Sequence, residues 1–225
     1  MLRSGIQGEG MEDQLKINEI FYSIQGESSW VGYPTVFVRT SGCHLRCTYC
    51  DTTYAYHNGQ VMSLGDIFQK IRSYPARYVC VTGGEPLLQA AVYPLMRQLC
   101  DEGYFVSLET SGDKDCSSVD KRVKKIIDIK TPDSGEPEAF DSRNLLLADS
   151  LTEFKFVICS ERDFEWAEKF AREKELFKKS NVLYSPSFKM VGEQWLAEKI
   201  LSAHSPARMQ LQMHKYIWPA DTRGV

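Results

Sequence analysis

The chain has 225 residues, 43% of them hydrophobic and 25% charged, with 27 basic against 30 acidic side chains. That length carries one substantial domain or two small ones with a real core, which excludes a disordered or collagen-like chain. The net charge of -3 provides no overall basic field, so neither nucleic acid nor an anionic membrane is expected as a partner.

Residues 1–15 are polar and glycine-bearing and read as a flexible lead-in, leaving 16–225 as a single domain. From there short apolar runs alternate with segments of helical period, the order expected of a mainly parallel sheet covered by helices. Strands are expected over 35–38, 78–81, 104–108, 125–129, 154–158, 181–184 and 209–213, several of them apolar at consecutive positions and so buried on both faces. Ser63 can cap a helix over 64–73. Pro86 can open one that runs to Glu102 and stops at Gly103. Ser160 precedes a helical stripe over 161–177, and Trp195, Leu196, Ile200 and Leu201 mark another. The Pro-, Gly- and acid-rich stretch 131–141 is a loop, too short to divide two domains. Polar groups gather after successive strands, at Glu109, Thr110 and Ser111 and at Asp128 and Lys130, on the edge where barrel and open-sheet enzymes place their chemistry. No apolar run approaches the roughly 18 residues of a membrane span, and no signal-like stretch follows the amino terminus, so a cytoplasmic location is expected.

Seven cysteines are an odd number, and three of them, Cys43, Cys47 and Cys50, fall in a C-x3-C-x2-C spacing directly after an expected strand. That clustering fits metal or redox chemistry better than a disulfide framework. Zinc and iron-sulfur are the two choices. A structural zinc site is closed by a fourth Cys or His, and no second C-x2-C exists; Cys80 and Cys159 lie in strand-like runs, and His44 sits awkwardly between two cysteines. Three thiolates on a 4Fe-4S cluster leave one iron open for chemistry.

The spacing, with aromatic Tyr49 before the third cysteine, resembles the radical S-adenosylmethionine superfamily, and Thr82-Gly83-Gly84-Glu85-Pro86 after the next strand is similar to that family's GGEP turn. The resemblance implies a partial (β/α) barrel with few helices. It also implies that Cys43, Cys47 and Cys50 hold a 4Fe-4S cluster whose open iron chelates S-adenosylmethionine, cleaved by one electron to a 5'-deoxyadenosyl radical. The stretches Ile17-Asn18-Glu19-Ile20-Phe21-Tyr22-Ser23-Ile24-Gln25-Gly26-Glu27, Val38-Arg39-Thr40-Ser41-Gly42-Cys43, Cys50-Asp51-Thr52 and Leu211-Gln212-Met213-His214-Lys215-Tyr216 narrow the likeness. They resemble those members that make 7-carboxy-7-deazaguanine from 6-carboxy-5,6,7,8-tetrahydropterin, with loss of ammonia, on the path to queuosine and other 7-deazapurines.

That closer resemblance implies a lyase in which the cofactor abstracts the hydrogen and no side chain is a catalytic acid or base. It implies Mg2+ on Thr52, and S-adenosylmethionine against Tyr49, Cys50, Asp51, Gly84, Glu85, Ser111, Asp128, Ile129, Lys130, Ser185, Pro186 and Ser187. The substrate would meet Ile24, Gln25, Gly26, Glu27, Arg39, Thr82 and His214. An electron donor such as flavodoxin or ferredoxin and a homodimer come with it. Without the resemblance Thr52 reads as an ordinary loop hydroxyl, and plainer alternatives stand beside the other roles: Arg39 as a solvent-facing strand residue, Asp128 and Lys130 as an exposed strand end, and His214 as a satisfied structural histidine. Two whole-protein alternatives stand beside this reading: an activase that installs a glycyl radical on a partner protein, and a non-catalytic zinc-binding module.

Overall fold

The computed structural model describes residues 13–188 and 190–225, so most of the expected lead-in lies outside the described residues. Among the described residues nine strands form one sheet in the order β3-β1-β2-β4-β5-β6-β7-β8-β9. They are β1 (Gln14–Ile24), β2 (Pro34–Thr40), β3 (Gln60–Ser63), β4 (Tyr78–Gly83), β5 (Phe105–Thr110), β6 (Lys124–Asp128), β7 (Thr152–Ile158), β8 (Asn181–Pro186) and β9 (Arg208–Met209). β1 runs antiparallel to both β2 and β3. From β2 to β9 every pairing is parallel, and each strand joins the previous one on the same side. Winding that never reverses is barrel winding, in contrast to a doubly wound sheet, and here the sheet stays open at β3 and β9.

Alternation along the strands sorts the two faces. Val36, Val38, Val79, Val81, Val106, Leu108, Ile127, Phe154, Phe156 and Tyr184 pack into one core with the helices. Those helices are α1 (Leu64–Arg72), α2 (Val92–Asp101), α3 (Glu161–Glu173), α4 (Leu176–Lys179) and α5 (Glu193–Ser202), whereas α6 (His214–Ile217) has no buried residue and lies at the cleft through His214 and Lys215. The intervening residues Phe37, Arg39, Thr82, Glu109, Ile126, Asp128, Lys155 and Ser185 face a cleft on the other side. The Ser63 and Ser160 hydroxyls cap α1 and α3 by accepting from the backbone N–H groups of Asp66 and Asp163.

Four expectations need correction. β1 takes in Gln14 and Leu15, two residues of the expected lead-in, and lacks an apolar run because Asn18, Glu19 and Ser23 interrupt it. β3 is a short edge strand on β1. The helix expected from Pro86 to Glu102 is broken into a 3-10 turn at Pro86–Leu88 and α2. Gln89 is the cause: its side-chain amide accepts from Lys16 N and donates to Lys16 O and Ser41 O, which holds the backbone extended at that point. The helix expected over 161–177 likewise divides at Glu175, whose φ of 55° ends α3 before α4. Finally, the strand expected over 209–213 is only Arg208–Met209, because Gln210 Nε2 and Met213 N both donate to Gly26 O and draw the chain across the sheet.

Candidate active site

The cysteine loop follows β2, and its position is fixed from three directions. Gly42 N donates to Ala55 O, and Glu85 N donates back to Gly42 O, each at 2.8 Å. Thr48 N donates to Ser134 O at 2.8 Å and Arg46 N to Glu136 Oε1 at 2.6 Å. On the remaining side His44 Nε2 meets Asp113 Oδ2 at 2.7 Å. His44 is therefore turned away from the thiols, and Cys80, Cys116 and Cys159 are buried elsewhere.

Cys43, Cys47 and Cys50 line one rim of a cleft of about 690 Å³ whose floor is the inner face of the sheet. As placed, the described side chains form no finished cage of three or more metal donors. Burial pushes the Cys43 and Cys47 thiols up, so assembling a cluster here means drawing off their protons. Beside them, Tyr49, Gly84, Ser111, Asp128, Lys130 and Ser185–Ser187 complete the half of the cleft expected for the cofactor. Two observations fit that use. Asp128 Oδ1 is buried without a hydrogen-bond partner among the described residues, an acceptor that a bound donor would satisfy. Gly84 lies so close to the loop that a Cβ there would stand 2.0 Å from Gly42 O, leaving its backbone open to a ligand.

Two expected cofactor residues are elsewhere. Glu85 is completely buried and accepts from Thr110 Oγ1, Ser111 N, Ser111 Oγ and Leu87 N, so it ties the GGEP turn to the end of β5 and does not reach the cleft. Burial raises its pKa against the pull of those hydrogen bonds. Ile129 falls between the inward residues Asp128 and Lys130, and alternation turns it to the helix-covered core.

Across the cleft the expected substrate residues Ile24–Glu27, Arg39, Thr82 and His214 stand together with Thr52 and Asp51. Arg39 Nε pairs with Glu19 Oε1 at 2.8 Å, and the Tyr54 hydroxyl donates to the same oxygen, so the guanidinium is held by its inner nitrogen with its terminal nitrogens left for an anion. Gln25 Oε1 accepts from Glu27 N, and Thr82 Oγ1 donates to Glu109 Oε2. Glu27 accepts from Lys155 Nζ and Gln212 Nε2, each at 3.0 Å. Burial alone would raise the Glu27 pKa; Lys155, His214 and Gln212 outweigh it and hold the carboxyl below its ordinary range. The aromatic rings of Phe21 and Phe37 stack at 4.9 Å and form an apolar wall with Tyr54.

The segment before α6 closes this half. Gln212 Nε2 bridges Glu27 Oε1 and Asp51 Oδ2, and Lys215 Nζ sits 2.6 Å from Asp51 Oδ2 and 4.9 Å from the Phe188 ring centroid. Burial acts to raise Asp51, but Lys215, Thr52 and Gln212 overcome it and keep the carboxylate ionised far into acid. The stretch 220–225 lines the same side, with the Arg223 guanidinium 4.0 Å from the Tyr54 ring centroid. Lys155, Glu109, Gln212 and Lys215 were not among the expected site residues. Glu109 and the Gln212–Lys215 stretch were visible in short motifs, whereas Lys155 lay in an apolar run with nothing to mark it.

The model of the radical SAM superfamily matches residues 37–135, which contain the cysteine loop and the GGEP turn. Over 217 residues the chain is 46% identical to the 7-carboxy-7-deazaguanine synthase of Chlorobaculum tepidum, covering 95% of this chain and 99% of that protein. The chain belongs to the 7-carboxy-7-deazaguanine synthase family. The family's enzyme from Koribacter versatilis is 41% identical over 229 residues, covering 94% of this chain and all of the relative. The crystal structure of QueE from Escherichia coli shares the fold at a TM-score of 0.74 and 24% identity, over 89% of this chain and 95% of that one. A member of the 7-carboxy-7-deazaguanine synthase family is a radical SAM enzyme with a 4Fe-4S cluster and S-adenosylmethionine, and the zinc-module and activase alternatives fall with that membership. No helix of the described residues is long and apolar enough to cross a membrane.

Proposed function

We infer that the protein converts 6-carboxy-5,6,7,8-tetrahydropterin to 7-carboxy-7-deazaguanine with loss of ammonia, a step towards queuosine and other 7-deazapurines. One observation carries this reading: the cleft that begins at the three cysteines continues into a half lined by an arginine, the carboxylates of Glu27, Asp51 and Glu109, and stacked aromatic rings. When bound, the cluster and S-adenosylmethionine supply a radical able to remove a hydrogen from carbon. The protein's task is then to orient the substrate and exclude water. The terminal nitrogens of Arg39 suit the substrate carboxylate, whose planar shape matches a guanidinium fork. The ionised Glu27 suits the adjacent N–H donors of a 2-aminopyrimidinone edge, with Gln25 and the backbone of Ile24–Gly26 beside it. Thr82 and His214 complete the substrate contacts, and the Phe21, Phe37 and Tyr54 wall suits a flat bicycle.

Magnesium belongs to the same reading. Thr52 Oγ1 donates to Asp51 Oδ1 at 2.9 Å and keeps its lone pairs for a hard cation that retains most of its waters, with the substrate carboxylate as a further ligand. Thr52→Ala should raise the magnesium concentration needed for half-maximal turnover while S-adenosylmethionine cleavage continues; equal loss of both, followed by chromatography of the two products, would count against Thr52 as a magnesium ligand. A single-electron donor such as flavodoxin or ferredoxin, a homodimer and a cytoplasmic location accompany this function. The decisive experiment is anaerobic incubation of reduced, cluster-loaded protein with S-adenosylmethionine and the carboxytetrahydropterin. Formation of the deazaguanine acid is expected, and its absence with cluster and reductant intact would refute the assignment.

A further inference from the structure

Lys155 is an ammonium that no motif announced, and its surroundings are unusual for the middle of a strand. It lies on β7 with its side chain on the cleft side, 14% exposed, and in parallel register with Asp128 of β6. Its Nζ is 3.0 Å from Glu27 Oε2 and 3.6 Å from Asp128 Oδ2. Glu27 belongs to the substrate half of the cleft and Asp128 to the cofactor half, so this single cation touches an acid of each. Two residues earlier on the same face, Glu153 accepts from Ser29 N at 3.1 Å and pairs with Lys124 at 3.0 Å. β7 therefore grips the 27–29 loop at two points, one through a backbone amide and one through the Glu27 carboxylate itself.

We propose that Lys155 is the positioning residue for Glu27: its ammonium fixes the direction of that carboxylate and keeps it an acceptor for the N–H edge of the substrate. The proposal rests on the pterin reading above and adds to it the group that makes Glu27 usable. The physical need is plain. A carboxylate taken out of water and left alone takes up a proton, and a protonated Glu27 would present a donor where an N–H edge requires acceptors. The groups that face Glu27 are Lys155 from β7, with Glu109 of β5 and Asp128 of β6 beside that ammonium, and His214 and Gln212 from the α6 segment, with Asp51 beyond Gln212. Asp128 is also held by Lys130 Nζ at 3.3 Å, so it keeps one cation if Lys155 is removed. Glu27 then keeps His214 and the Gln212 Nε2 hydrogen bond but loses its ammonium partner.

The signs follow. In the native protein Glu27 stays ionised until the pH falls below the ordinary carboxylate range, and it loses the substrate only there. In Lys155→Met the burial that raises its pKa is opposed only by His214 and Gln212, so Glu27 takes its proton at higher pH than in the native protein, and binding is lost earlier on the acid side.

The test is equilibrium binding of 6-carboxytetrahydropterin to cluster-loaded protein with S-adenosylmethionine and no reductant, measured across pH for the native protein, Lys155→Met, Lys155→Arg, Glu27→Gln and the double variant. Lys155→Met should weaken binding about tenfold near neutral pH and move the acid limb upward. Lys155→Arg should keep the limb where it is. In the Glu27→Gln background, adding Lys155→Met should change affinity little, because the residue it acts through is already gone. The proposal is overturned by an unmoved acid limb in Lys155→Met, by an acid limb that moves equally in Lys155→Arg, or by additive losses in the double variant. If Lys155→Met does not fold, Lys155→Gln, alone and combined with Glu27→Gln, carries the same comparison, since the neutral amide also removes the ammonium. Failure of the pterin assignment looks different: the native protein itself would not bind the compound.

Discussion

Gly84→Ala should give a protein with little iron and at least about a hundredfold lower turnover, since displacement of a reacting centre by about an ångström already costs that much. The added methyl would stand 2.0 Å from Gly42 O, 2.5 Å from Gly42 C and 3.2 Å from Cys43 Cβ. The first two are backbone atoms, and Gly42 cannot retreat: it holds a φ of 100°, donates to Ala55 O and accepts from Glu85 N. Relief comes by breaking the Glu85 to Gly42 hydrogen bond and pushing the start of the cysteine loop outward, with an overpacking cost of about 1–3 kcal/mol. Iron and sulfide analysis after anaerobic reconstitution, beside a thermal melt, checks this. Native iron content in a folded Gly84→Ala protein would show that the turn is looser than its contacts imply.

Gly26→Ala should separate the two halves of the cleft. Its Cβ would lie 2.3 Å from His214 Nδ1 and 3.0 Å from His214 N, so the imidazole and the turn that carries it must move. The same turn is tied to Gly26 O by Met213 N, and its neighbour Gln212 bridges Glu27 and Asp51. The cysteine loop has its own anchors at residues 55, 113, 134 and 136 and does not depend on this contact. The expected result is a normal cluster and normal S-adenosylmethionine affinity, with substrate affinity lowered about tenfold or more, the scale of a lost charge-assisted hydrogen bond. Reductive cleavage of S-adenosylmethionine should persist without the matching amount of deazaguanine acid. A loss of iron in this variant would mean that the α6 segment supports the cluster as well.

What could be read from the sequence was local. The cysteine spacing and the GGEP turn each lie within a few residues, and runs such as Tyr78–Val81 announce buried strands by their composition. What could not be read needed register. Lys155 sits in Phe154-Lys-Phe156, where a charged residue between two core phenylalanines reveals its direction only when the sheet is assembled. Glu85 lies in a recognised motif, yet hydrogen-bond donors 25 residues away at Thr110 turn it inward. Gln89 broke an expected helix through partners 73 residues away at Lys16, and no local propensity registers a contact of that range. Ile129, which the resemblance placed in the cofactor set with Asp128 and Lys130, lies between them in sequence, and alternation turns it to the opposite face.

The contacts of the α6 segment also impose an order of events. Gln212 meets Glu27 across 185 residues of chain, and Gln210 meets Gly26 across 184. On a ribosome the cysteine loop and all six parallel strands from β2 to β8 emerge before these partners exist. Contacts of such separation must also repay the largest loop-closure entropy, so they form late when a denatured chain refolds. The nascent protein therefore passes through a stage with its cysteine rim made and the wall beside Glu27 still missing. A cluster delivered at that stage enters through an open side, and completion of residues 210–215 then encloses a site already loaded.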